Sequence, residues 1–127
     1  MKRKILGMMG KLEVVVREES GVGIIEASGE IDVYNSGEIK KLVDAYIARG
    51  TSNILLDMRG VDYLDSSTIS VLLVERERLT SHGGRLKLLG LQENPRKVFE
   101  IAKIDSIFDI YDNEEEALRS FAEKKDY

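Results

Sequence analysis

Between Leu12 and Arg17 the chain alternates, with Leu12, Val14 and Val16 on one face of a predicted strand. Glu18 to Gly23 reads as a turn, and Gly23 to about Ser28 as a second strand. So short a connection predicts an antiparallel pair. The run Gly29, Glu30, Ile31, Asp32 then leads through a loop into a helix that Asn35 or Ser36 can cap. Ile39, Leu42, Val43, Tyr46 and Ile47 repeat at helical spacing, and Gly50 ends the pattern.

Asn53 to Met58 is an apolar third strand. The stretch Val61 to Leu73 follows and opens a helix running to about Ser81, with Asp65 or Ser66 as its N-cap. Gly83 and Gly84 close that helix, and Arg85 to Leu91 forms a fourth strand. Asn94 and Pro95 start a helix carrying Val98, Phe99 and Ala102, with proline tolerated in the first turn. Ile107 to Tyr111 is a short fifth strand. Asn113 caps a last helix whose Glu114, Glu115 and Glu116 suit the dipole, with Leu118 and Phe121 docking it.

This order, β–β–α–β–α–β–α–β–α, predicts one α/β domain. It has about five strands and four helices, in a mainly parallel sheet whose first strand is antiparallel. Residues 1–11 are read as an N-terminal extension, 12–123 as the domain and 124–127 as a fraying tail. Charges fall within several strands, at Glu13, Arg17, Glu26, Lys87 and Asp109. Strands covered on both faces are more continuously apolar, so the helices are expected mostly on one face, with the other partly wet.

A length of 127 residues suits a single core, and 43% hydrophobic with 33% charged residues describes a folded chain with a charged surface. The net charge of −4 disfavours nucleic acid as a partner, because phosphate binding needs a basic face. With no cysteine there is no disulfide and no thiolate chemistry. Met1 to Gly10 begins like the basic head of a signal peptide, but its apolar part is too short and glycine-broken. No stretch approaches a membrane span, and a cytoplasmic protein is expected.

The candidate chemistry gathers at the junction: Asp62 and Asp65, then the hydroxyls of Ser66, Ser67 and Thr68, with no basic residue among them. A helix N-terminus there offers free N–H groups and a partial positive charge suited to an anion. The plainer reading is a helix cap with spare hydroxyls. His82, the one histidine, lies about 24 Å along the helix from Ser66, so a serine–histidine–aspartate triad is rejected. No phosphate-binding P-loop run occurs, and nothing marks Asp62 and Asp65 as metal ligands. No cofactor is expected. Leu55 to Gly60 looks like the phosphoacceptor strand of a receiver domain, but the acidic pair and the lysine of such a site are missing.

Together these residues resemble the STAS family, the domain of bacterial anti-sigma factor antagonists and of sulphate-transporter tails. The likeness spans about Leu12 to Phe121. It rests on Gly29-Glu30-Ile31-Asp32, on the strand from Asn53 to Asp57, and on the junction from Tyr63 to Ser67. The last resembles the family's Asp-Ser-Ser/Thr-Gly signature, whose first serine is phosphorylated, and that serine is Ser66 here. The resemblance implies a partner switch. The unphosphorylated form binds an anti-sigma factor that is itself a serine kinase, phosphorylation at Ser66 ends the association, and a serine phosphatase restores it. The chain is then a substrate of enzymes rather than an enzyme. Thr68 stands where the family usually has glycine, and it would crowd a kinase or offer a second hydroxyl. A stand-alone scaffold or sensor without a phosphorylation cycle is the alternative, and an enzyme using Asp57, Asp62 or Asp65 is a third.

The expected contact surface comprises Asp32, Asp62, Asp65, Ser67, Thr68, Val71 and Val74. At 100° per residue, Ile69, Leu72, Leu73 and Leu79 share the core side of the helix. Val71 and Val74 fall opposite, either against a neighbouring helix or as a small apolar docking surface.

Overall fold

The computed structural model describes residues 4–123, and side chains from Gly10 onward. The expected fraying of residues 124–127 lies outside the described residues. Six strands form one sheet in sequence order: β1 (Lys4–Met9), β2 (Leu12–Glu19), β3 (Val22–Ile31), β4 (Asn53–Leu64), β5 (Arg85–Leu89) and β6 (Asp109–Tyr111). β1, β2 and β3 pair antiparallel, and β3 through β6 pair parallel. The mixed α/β sheet is thus as expected, with an added strand inside the N-terminal extension. A short apolar run behind a basic head, broken by a glycine, carries too little alternation to announce β1. The ladder of β1 shifts register between Ile5 and Gly7.

The positions of the helices follow from strand order. Each crossover, through α1 (Gly37–Ala48), α2 (Ser66–Ser81) and α3 (Glu93–Ile101), advances one strand in the same direction. Right-handed crossovers then place all three helices on one face. Their Ile39, Val43, Tyr46, Ile69, Leu72, Leu79 and Phe99 close over the row Ile25, Leu56 and Leu88, which the register sets side by side. A short last helix, α4 (Glu114–Ser120), covers the opposite face, where Ala117, Leu118 and Phe121 meet Val22, Ile24, Leu55 and Leu89.

The in-strand charges mostly belong to this second face, and several of them hold α4. Arg17 bonds Glu26 at 2.8 Å, Glu19 at 2.9 Å and Glu114 of α4 at 2.6 Å. Lys87 is not wet: it is buried beneath α4, donating to Ser120 at 2.7 Å with its ammonium 4.7 Å from the Phe121 ring centroid. Glu13 alone of these residues is exposed. The wet part of the face is therefore smaller than the strand charges suggested.

Two local expectations change. Asn35 does not cap α1. It is buried, accepting from the Asp32 N–H at 2.9 Å and donating to the Glu30 carbonyl at 3.0 Å, and Ser36 occupies the N-cap without a side-chain bond. On α2, Leu72 is fully buried, whereas Leu73 and Val71 are both half-buried against the edge of the core. Leu73 is therefore less of a core residue, and Val71 less of a surface residue, than the helical wheel implies. α2 packs against both the sheet and α1, which widens its contact arc. Arg78 bridges Glu75 at 2.6 Å and Asp44 of α1 at 2.5 Å across that seam.

Leu72→Ala is expected to lower unfolding free energy by about 2–5 kcal/mol. Val71→Ala and Leu73→Ala should each cost clearly less, because their sites are partly open to solvent. Urea denaturation of the three variants checks this, and equal losses would contradict the packing described.

Candidate functional site

The site forms where β3 and β4 end side by side, with Glu30 opposite Tyr63 and Ile31 opposite Leu64. This is the carboxyl edge of the parallel strands, where open α/β sheets commonly bind ligands. Gly29 lets β3 arrive there. Its φ is +101°, and a side chain would run into the Lys11 carbonyl, which instead accepts the Glu30 N–H at 2.9 Å.

Asp65 is the N-cap of α2, with extended backbone and its N–H donated to the Ile31 carbonyl at 3.2 Å. Its Oδ1 accepts the N–H of Ser67 at 3.1 Å and of Thr68 at 3.3 Å, and the Ser67 hydroxyl at 2.5 Å. Its Oδ2 reaches across to accept the Val33 N–H at 3.1 Å. Burial works to raise its pKa, but the hydrogen bonds from Ser67, Thr68 and Val33 outweigh burial and hold the carboxyl below its ordinary value.

The three hydroxyls separate cleanly. Ser66 is exposed, and no group among the described residues bonds its hydroxyl. The Ser67 hydroxyl is committed to Asp65. Thr68 is fully buried, donating to the Ile31 carbonyl at 3.2 Å, which ties α2 to the end of β3. Thr68 therefore leaves the expected contact surface: it neither crowds the approach to Ser66 nor offers a second exposed hydroxyl.

Asp32 is also mainly a loop-former. Its Oδ1 accepts the N–H groups of Tyr34 at 2.9 Å and Asn35 at 3.2 Å, folding the β3–α1 loop back on itself. Asp62 is exposed and lines an open cleft with Gln92, Glu93, Asn94 and Lys97 at the start of α3. Asn94 fixes that side of the cleft by accepting the Leu64 N–H at 3.3 Å. Val74 is 54% exposed and belongs to the surface; Val71 is half-buried.

The apolar surface missing from the sequence reading is Val33, 62% exposed, and Tyr34, 94% exposed, with Tyr63 at 43%. The available signal was a valine and a tyrosine inside a turn, belonging to no helical or strand period. Elsewhere, His82 lies at the other end of α2, with Nδ1 2.9 Å from the Arg78 carbonyl. The Asp57 carboxylate is buried and held by Arg59, through Nε at 3.0 Å and the second guanidinium nitrogen at 2.8 Å. An ion pair of this kind suits structure rather than phosphoacceptance. Among the described residues no helix is long and apolar enough to cross a membrane.

A mixed sheet with three helices on one face, and a free serine at the entry to the second, defines the class of domain. Residues 13–117 match the STAS domain family, and the chain belongs to it. An anti-sigma F factor antagonist of Paenibacillus polymyxa is 27% identical over 108 residues, 84% of this chain and 92% of that protein. The crystal structure of an anti-sigma factor antagonist from Mycobacterium paratuberculosis has the same fold. Its TM-score is 0.80 at 21% identity, over 93% of this chain and all of that one. The Bacillus cell-fate determinant SpoIIAA in its phosphorylated form aligns with TM-score 0.67 at 23% identity, covering 84% of this chain and 97% of that one. These relatives carry the names of regulators rather than of enzymes.

Loss of the cap should be measurable. Asp65→Ala is expected to cost about 0.5–2 kcal/mol. Because the folded pKa of Asp65 is depressed, its ionised form stabilises the fold above the unfolded carboxyl pKa of about 3.9. That contribution is lost as pH falls through the lower folded value. Asp65→Asn should therefore lose less stability than wild type on acidification across this window. Identical acid limbs in urea titrations would contradict the assignment.

Proposed function

We propose that this chain is an anti-sigma factor antagonist that works by switching partners. Unphosphorylated, it binds an anti-sigma factor that is a serine kinase, and so frees a sigma factor for transcription. Phosphorylation at Ser66 ends that association, and a serine phosphatase restores it. The chain acts as a substrate of both enzymes, in the cytoplasm where ATP and the transcription machinery meet.

The observation that carries this reading is the separation of the hydroxyls. Of the three in the signature, only Ser66 presents an unbonded oxygen at the surface. The names of the relatives support the partner class, and the phosphorylated form of one of them supports the chemistry.

Electrostatics favours a switch by charge. A phosphate adds about −1.5 to −2 charges. The N–H groups of Ser67 and Thr68, the nearest backbone donors for it, are already held by Asp65. The helix dipole still favours an anion there, but the strongest local donors are occupied. The added charge therefore stands beside ionised Asp65 and exposed Asp62, facing the partner. A partner surface complementary to neutral serine and nearby acids meets a new desolvation cost.

Incubation with the cognate kinase and ATP, followed by peptide mass mapping, should place phosphate on Ser66 alone. Calorimetry should show phosphorylation weakening partner binding at least about tenfold, or about 1.4 kcal/mol. Ser66→Ala should retain binding and resist phosphorylation. Ser66→Asp should weaken binding while changing stability by no more than about 0.5 kcal/mol. Phosphate on Ser67, or unchanged affinity after Ser66 is phosphorylated, would contradict the proposal.

A further inference from the structure

Tyr34 is 94% exposed, yet the backbone on both sides of it is tied down by hydrogen bonds. Its own N–H is held by Asp32 Oδ1 at 2.9 Å, and the N–H before it, of Val33, by Asp65 Oδ2 at 3.1 Å. The residue after it, Asn35, is buried and bonded at both ends of its amide, to the Asp32 N–H and the Glu30 carbonyl. The Ser36 N–H donates to the Asp32 carbonyl at 2.9 Å. This framework serves no core contact of the tyrosine ring. It presents the ring to solvent on a stiff mount.

A tyrosine held this way loses little backbone freedom on binding, and tyrosine is among the residues that most often dominate interface energies. Val33 beside it and Tyr63 on the adjoining strand end add apolar area at the same carboxyl edge. The edge is otherwise acidic. Asp32 and Asp62 stand at it, and the basic groups nearby are engaged: Lys11 pairs with Glu30 at 3.6 Å and Lys97 with Glu93 at 3.2 Å.

We propose that Tyr34 is the anchor residue for the partner that docks over Ser66, inserting its ring into an apolar socket bordered by lysine or arginine side chains. The inference rests on the partner-switching reading and specifies its contact. Asp65 gives the arrangement its economy. One carboxylate, bonded to Val33 on one side and to Ser67 and Thr68 on the other, fixes the anchor loop and the phosphorylation site in a single geometry. The anchor sets which partner binds, and the charge at Ser66 sets when.

The test measures binding and phosphorylation of wild type, Tyr34→Ala and Tyr34→Phe with the anti-sigma kinase. Tyr34→Ala should weaken binding at least about thirtyfold. It should raise the KM for phosphorylation of Ser66 while leaving kcat close to wild type. Its melting temperature should be unchanged, since the ring touches no core. Tyr34→Phe, which keeps the ring, should bind within about threefold of wild type. Association of the wild type should slow as salt is raised, as expected for an acidic edge meeting a basic rim. Wild-type binding that Tyr34→Ala leaves intact overturns the anchor alone and spares the switch. Failure of the wild type to bind or to be phosphorylated overturns both. Self-association in sedimentation that Tyr34→Ala abolishes would assign the ring to a second copy of this chain, and overturn the proposal as stated.

Discussion

The carboxylate of Asp65 ties the junction of β4 and α2 to a loop 32 residues away in sequence. It ends β4, caps α2 through the N–H groups of Ser67 and Thr68, and holds the β3–α1 loop through the N–H of Val33. It can do so only because β3 and β4 run parallel and end in register, so that the Ile31 carbonyl lies beside the Asp65 N–H. The same carbonyl accepts the buried Thr68 hydroxyl. Remove the carboxylate, and the loop, the helix start and the free serine lose their common reference.

This arrangement separates rigidity from signal. Ser67 and Thr68 serve the geometry, and Ser66 is left free because its neighbours are not. Thr68 ties α2 to the end of β3 through its buried hydroxyl without entering the surface. The opposite face of the sheet is remote from these contacts. There Arg17 and Lys87 hold α4 over a small apolar cluster, which keeps that face covered while the carboxyl edge stays open.

The helices, the succession of strands from β2 onward and a cap at Asp65 or Ser66 were legible because each is a local pattern: helical spacing, alternation, or a short polar residue before an apolar run. The junction could be located from sequence, and the family likeness singled out Ser66 within it. What local pattern could not tell was how the hydroxyls divide. That division depends on a bond from Thr68 to Ile31, which lie 37 residues apart. Of Asn35 and Ser36, the two candidate caps of α1, Ser36 takes the N-cap position, and Asn35 turns to Glu30 and Asp32, partners that are fixed by the loop rather than by the helix. Lys87 looked like a wet strand position because nothing before Ser120 and Phe121 reveals the hydroxyl and ring that cover it. Tyr34 escaped notice because periodicity finds residues that pack together, and this ring packs against nothing in its own fold.

The central claim is that phosphate at Ser66 changes what the surface carries and leaves the framework beneath it in place. Amide hydrogen exchange, compared between the unphosphorylated and the fully phosphorylated chain, tests this most directly. The amides of Val33, Ser67 and Thr68, each held by Asp65, should keep the same protection in both forms, while partner affinity falls. Loss of protection at Val33 and Thr68 on phosphorylation would show that the added charge displaces Asp65 and reshapes the site, and would contradict the account.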